Sequence, residues 1–121
     1  MHEVSLAEGI LALVESEARK AGVRAVKAVR IEAGELSGVD PDALRFAFES
    51  VCRGSLAAHA SLVIERPEGR AWCAACRLEV RLRRYGDACP RCGGFQLLPV
   101  KGRSLRVLDF VPDEAPRKDR R

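Results

Sequence analysis

Cys73-Ala74-Ala75-Cys76 and, after twelve intervening residues, Cys89-Pro90-Arg91-Cys92 form the stretch on which the fold turns. Two residues between cysteines let one tight turn present both sulfurs to the same ion. Two such turns complete the tetrahedron that zinc accepts from thiolates. Gly93 and Gly94 follow the second pair and permit the positive φ that such a turn requires. Four thiolates fill the coordination sphere, so the spacing predicts a closed, structural Zn(II) site at Cys73, Cys76, Cys89 and Cys92. A redox dithiol is the competing reading of a Cys-x-x-Cys pair. It is the weaker one, because two pairs at this spacing saturate one metal and leave no reactive thiolate. A short segment of this kind has little core of its own and draws its folding free energy from the metal.

The flanks of this segment read as a different kind of structure. Leu6, Ile10, Leu13, Val14 and Ala18 recur at helical spacing within residues 5–21. Ser5-Leu6-Ala7-Glu8 fits a capping box at the start, and Gly22 fits a left-handed stop. Val29, Ile31 and Ala33 alternate with Arg30 and Glu32, the period of a half-buried strand over 25–33. Asp40-Pro41 opens a second helix, Asp40 as N-cap and Pro41 at the first helical position. Its buried stripe is Leu44, Ala47, Phe48 and Val51, and Gly54 closes it. Cys52 lies on the edge of that stripe and reads as a small buried hydrophobe, not a fifth ligand. Further strands cover 62–65 and 105–110.

The order is therefore helix, strand, helix, strand, cysteine segment, strand. It predicts an α+β fold: two helices on a small mixed three-stranded sheet, with an inserted zinc-ribbon module. The strand–helix–strand portion favours a parallel pair with a right-handed crossover. The expected domains are 1–69 plus 100–111 and, inserted between them, 70–99. Two prolines and alternating charge predict a disordered tail over 112–121.

Composition removes several function classes. No apolar run approaches the roughly 20 residues of a membrane helix. No basic-then-apolar leader opens the sequence, which sets the expectation of a cytoplasmic protein whose thiols stay reduced. The formal net charge of +4 hints at nucleic acid. Binding a dication through four thiolates removes two of those charges, and Arg70, Arg77, Arg81, Arg83, Arg84 and Arg91 crowd the cysteines, where they offset the thiolates.

Met1-His2-Glu3 is the second chemical feature. A free α-amine, the His2 backbone nitrogen and its ring Nδ1 can hold one ion in fused chelate rings. Binding through an amide requires its proton to leave, which Ni(II) and Cu(II) promote because square-planar nitrogen ligation suits them. The bulky second residue blocks removal of Met1, so His2 stays second. By itself a Met-His start is weak evidence.

These features come together in one resemblance. Met1-His2-Glu3, Ala33-Gly34-Glu35-Leu36-Ser37-Gly38-Val39, Leu44-Arg45-Phe46-Ala47-Phe48-Glu49, the two cysteine knuckles and Gly102-Arg103-Ser104-Leu105 resemble the HypA/HybF family of nickel-incorporation proteins in hydrogenase maturation, in order from residue 1 to about 111. The resemblance implies a nickel metallochaperone and not an enzyme. It would hold Ni(II) transiently and deliver it to a nickel–iron hydrogenase large-subunit precursor. It would work with a HypB-type GTPase, in some organisms serving urease as well. His2 would be the principal nickel ligand, supported by Met1 and Glu3, and Asp40 is a carboxylate that could complete the set. Glu35 reads as a loop acid and His59 as a solvated loop histidine. The expected chain is a monomer or weak homodimer with no membrane or nucleic-acid partner. The alternative is a zinc-ribbon nucleic-acid-binding module; scarce aromatics (Trp72, Tyr85 and Phe95 near the cysteines) argue against it, since base stacking needs them.

Overall fold

The computed structural model describes residues 2–114. Within them helix α1 (His2–Ala21) is followed by strand β1 (Val26–Ala33), helix α2 (Pro41–Val51) and strands β2 (Ser61–Glu65), β3 (Arg70–Cys73), β4 (Leu78–Arg81), β5 (Leu97–Lys101) and β6 (Leu105–Pro112). The strands make two three-stranded sheets, ordered β2-β1-β6 and β4-β3-β5. The α+β class with a cysteine-bearing module apart from the main sheet is the one expected; that the module carries a three-stranded sheet of its own was not. The strands that flank the cysteine segment share a sheet, on opposite sides of β1.

Helix α1 begins at His2, three residues before the expected cap at Ser5. Glu3 in the first turn favours that start, because an acid complements the positive end of the helix dipole. The buried seam is Ala7, Ile10, Val14 and Ala18. Leu13, expected on it, is 46% exposed, since the seam centres on spacings of three and four from Ala7. At the other end Gly22 takes φ 72° and the Val23 N–H donates to the Ala18 carbonyl (2.8 Å), the six-to-one bond of a glycine-terminated helix. In α2, Leu44, Ala47 and Phe48 are buried as the pattern predicts. Full burial of an aliphatic or aromatic side chain of this size contributes roughly 1.5–3 kcal/mol.

By compactness the chain divides into two units: residues up to Arg30, Asp42–Val63 and from Asp109 on; and Ile31–Pro41 with Ile64–Leu108. The division cuts through β1, β2 and β6, not at the ends of the cysteine segment. In the first unit the Val26 N–H donates to Leu56 C=O (3.0 Å) and the Asp113 N–H to Ala25 C=O (2.8 Å). The expected tail beyond 114 lies outside the described residues.

The second unit contains a close junction of glycines. A Cβ on Gly34 would lie 2.2 Å from the Gly102 carbonyl oxygen, and one on Gly69 2.1 Å from the Leu82 carbonyl oxygen. That proximity lets the Gly34 N–H donate to Ser104 C=O (2.9 Å), Leu36 N–H to Gly102 C=O (2.7 Å) and Glu35 N–H to Pro67 C=O (2.9 Å). Among the described residues, no helix is long and apolar enough to cross a membrane.

Candidate metal centres

The cysteine centre is built on the β4-β3-β5 sheet. Strand β3 pairs antiparallel with both neighbours, Cys73 opposite Leu78 on one side and Leu97 on the other. The alternation along β3 turns Ala71 and Cys73 inward and Arg70 and Trp72 outward. Cys73 thus enters a small core with Val80 and Cys89, closed by Leu78 and Leu97.

Each knuckle follows the same local rule. Arg77 N–H donates to Cys73 C=O (2.7 Å), and Gly93 N–H to Cys89 C=O (2.8 Å). The residue that closes each turn is left-handed: Arg77 at φ 58° and Gly93 at φ 75°. The second glycine was legible in sequence; the left-handed Arg77 was not, since an arginine carries no such signal. Backbone donors surround the sulfurs: Cys76 N–H to Cys73 Sγ, Arg91 N–H to Cys89 Sγ and Gly94 N–H to Cys92 Sγ, each 3.4 Å.

The four sulfurs lie within 4.8 Å of one another. Cys73 and Cys92 Sγ are 3.7 Å apart and Cys76 and Cys89 Sγ 3.9 Å. A tetrahedron with metal–sulfur bonds of about 2.3 Å has edges of about 3.8 Å. The geometry therefore suits an ion such as zinc, with no open coordination position. Before metal binds, the thiols are unequal. The Cys92 N–H, aided by that of Arg91, draws Cys89 down to about 6. Desolvation and hydrogen bonds among the thiols push Cys76 up to about 12. Metal ligation displaces the remaining protons.

Two of the arginines expected to balance the thiolates are engaged elsewhere. Arg70 pairs with Glu68 (2.9 Å) and Glu79 (3.0 Å), and Arg81 with Glu35 and Glu68. Glu35 is indeed a loop acid, with a defined task. Its carboxylate accepts from Gly69 N–H (2.8 Å) and from the Arg81 guanidinium. The Gly69 bond, then Arg81, hold its carboxyl below the usual carboxylate range against the opposing effect of desolvation. This strut links residues far apart in sequence, and nothing local announced it.

At the N-terminus, Met1 lies outside the described residues. His2 is the first residue of α1 and its side chain is 65% exposed, with Nδ1 3.5 Å from a Glu3 carboxylate oxygen. The first backbone N–H groups of a helix have no intrahelical acceptor, so the amides of His2 and Glu3 are free of the helical ladder. Asp40 is exposed and immediately precedes α2. His59 is exposed. Cys52 is buried, and desolvation pushes its thiol up to about 11.

Comparison with known proteins agrees with this layout. A family model described as hydrogenase/urease nickel incorporation, metallochaperone, hypA matches residues 1–111. The hydrogenase maturation factor HypA of Alkalilimnicola ehrlichii is 48% identical over 113 residues, spanning 93% of this chain and 100% of that protein. The HypA of Cupriavidus necator is 46% identical over 114 residues, 94% of this chain and 96% of that one. The solution structure of the Ni metallochaperone HypA from Helicobacter pylori shares the fold at TM-score 0.62 and 24% identity, covering 91% of this chain and 96% of that one. A second solution structure of a HypA protein matches at TM-score 0.61 and 26% identity, covering 93% and 96%.

Proposed function

This chain belongs to the HypA family, and from that premise we propose that it is a nickel metallochaperone: it takes up Ni(II) at its N-terminus and delivers it to a nickel–iron hydrogenase large-subunit precursor. It is a carrier and not an enzyme. His2 is the principal ligand, with Met1 and Glu3 as the supporting donors. Zn(II) fills the tetrahedral site of Cys73, Cys76, Cys89 and Cys92 and has a structural task. The carrier works in the cytoplasm as a monomer or weak homodimer. Its partners are a HypB-type GTPase and the precursor, with urease a further client in some organisms.

The observation that carries the nickel reading is the placement of an exposed imidazole and a carboxylate together at a helix start. Two physical terms act on a dication there. The helix dipole opposes it, since the N-terminus is the positive end. Amide deprotonation reverses that sign and breaks no helical hydrogen bond, because those first N–H groups have no acceptor. A metal that can drive amide deprotonation is therefore selected, which favours Ni(II) over zinc.

The test is maturation in a host that lacks its own HypA protein. The wild-type chain is expected to restore nickel to the hydrogenase large subunit, and His2→Ala to leave it nickel-free although the variant accumulates normally. Equal nickel contents in the two strains would remove His2 from the mechanism.

A further inference from the structure

The segment Gly102-Arg103-Ser104 has no part in the metal chemistry above, yet its backbone is tightly fixed. Gly102 C=O accepts from Leu36 N–H (2.7 Å) and Ser104 C=O from Gly34 N–H (2.9 Å). Gly102 sits at φ 79°, and a Cβ there would fall 2.7 Å from the Glu68 carbonyl oxygen. The side chains of Arg103 and Ser104 remain exposed, and among the described residues the Arg103 guanidinium has no ion pair. Four acids of this unit are paired with other cations: Glu35 with Arg81, Glu68 with Arg70 and Arg81, Glu79 with Arg70 and Lys101, and Glu32 with Arg106.

Beside this segment opens a concavity of about 550 Å³, lined by Lys101, Arg103, Ser104, Ser37 and Tyr85. Leu36 and Val100 supply apolar wall, and no carboxylate among the described residues lines it. The Ser37 hydroxyl donates to Gly34 C=O (2.7 Å), so the donors left to a ligand are the two cations and the Ser104 and Tyr85 hydroxyls. Lys101 keeps only a loose pair with Glu79 at 3.7 Å.

We infer that this concavity in the second unit is a binding site for a phosphate-bearing small molecule, held by Arg103, Lys101 and Ser104 on the fixed 101–104 segment. Two cations match the charge of about −2 on a phosphate group, and its three or more acceptor oxygens can use all four donors. A single carboxylate carries only half that charge, on two oxygens instead of three. The volume falls within the range of small-molecule sites, roughly 300–1,000 Å³. The Tyr85 ring, 58% exposed, offers a face for a planar group beyond the phosphate. The phosphate can thus come from free polyphosphate or from a nucleotide.

The experiment titrates the zinc-loaded full chain with pyrophosphate, with ADP and with citrate, following backbone amide resonances. Saturable shifts at Ser37, Tyr85 and residues 101–104 are expected. Arg103→Gln is expected to weaken pyrophosphate by roughly tenfold or more, the loss of one charged hydrogen-bond donor. Arg53→Gln, which removes the same charge at an exposed position away from the concavity, is expected to change it little. ADP and pyrophosphate binding alike would identify phosphate as the whole ligand. Tighter ADP binding that Tyr85→Leu abolishes would identify a nucleotide. Equal losses in the two arginine variants would show attraction to net charge only and overturn the site. So would citrate binding as well as pyrophosphate, or no saturable shift with any of the three.

Discussion

Glu35 is a residue whose role depends on partners distant in sequence. In the sequence it is an acid in a glycine-rich turn; in the fold it accepts from Gly69 N–H and pairs with Arg81. Its pKa is lowered, so its contribution to stability is fully present above the unfolded value of about 4.3 and is lost as pH falls through the folded value. Glu35→Gln is expected to cost about 1–2 kcal/mol near neutrality and progressively less in acid. Urea denaturation at pH 7 and below pH 4 checks this; an equal cost at both would show that the charge is not what matters. The two knuckles allow a second comparison at this scale. Gly93 is left-handed at φ 75°, so Gly93→Ala is expected to cost about 1 kcal/mol through the Cβ–carbonyl clash of that conformation. Thermal unfolding of the metal-loaded form reads it. No change in Tm would mean that the turn relaxes.

The elements fall into two groups by how well local pattern announces them. Helix α2 opens behind Asp40 as the Asp-Pro signal implies and buries Leu44, Ala47 and Phe48. Strand β1 buries Val29, Ile31 and Ala33. These follow from periodicity, which needs no knowledge of the partner surface. The four-cysteine cluster was equally legible, because ligand spacing is itself a local pattern. The start of α1 was missed by three residues: a cap at Ser5 and a helix running on to His2 compete closely, and the cap loses. The pairing of β3 with β4 and β5, the left-handed Arg77 and the meeting of Gly34, Gly69 and Gly102 depend on contacts tens of residues apart, which no local period encodes. Gly34→Ala addresses that junction directly. Its Cβ would lie 2.2 Å from the Gly102 carbonyl oxygen, so the 34–36 and 102–104 segments must separate and lose their two backbone bonds. A cost of about 3 kcal/mol, at the upper end of overpacking, is expected in chemical denaturation. A loss under about 1 kcal/mol would show that the segments shift apart freely.

At the scale of the molecule, two sources of stability are at work: burial of apolar helix faces, and ligation of a metal by four thiolates. Helices α1 and α2 bury Ala7, Ile10, Val14 and Ala18, and Leu44, Ala47 and Phe48, none of which takes part in the cysteine cluster. Cys73→Ala is therefore expected to lose its zinc while keeping the far-ultraviolet helical signal. Loss of all helix would show that the chain unfolds as one cooperative whole. The same separation governs the nickel site. His2 is exposed at the start of α1, so its removal is expected to leave zinc content unchanged and stability within roughly 0.5 kcal/mol. The most direct measurement is a calorimetric titration of Ni(II) into the zinc-loaded chain with its native N-terminus, run beside His2→Ala. Specific nickel binding by the wild type that disappears in His2→Ala, with zinc retained, is the expected result; undiminished nickel affinity in His2→Ala would contradict the N-terminal site and the carrier mechanism built on it.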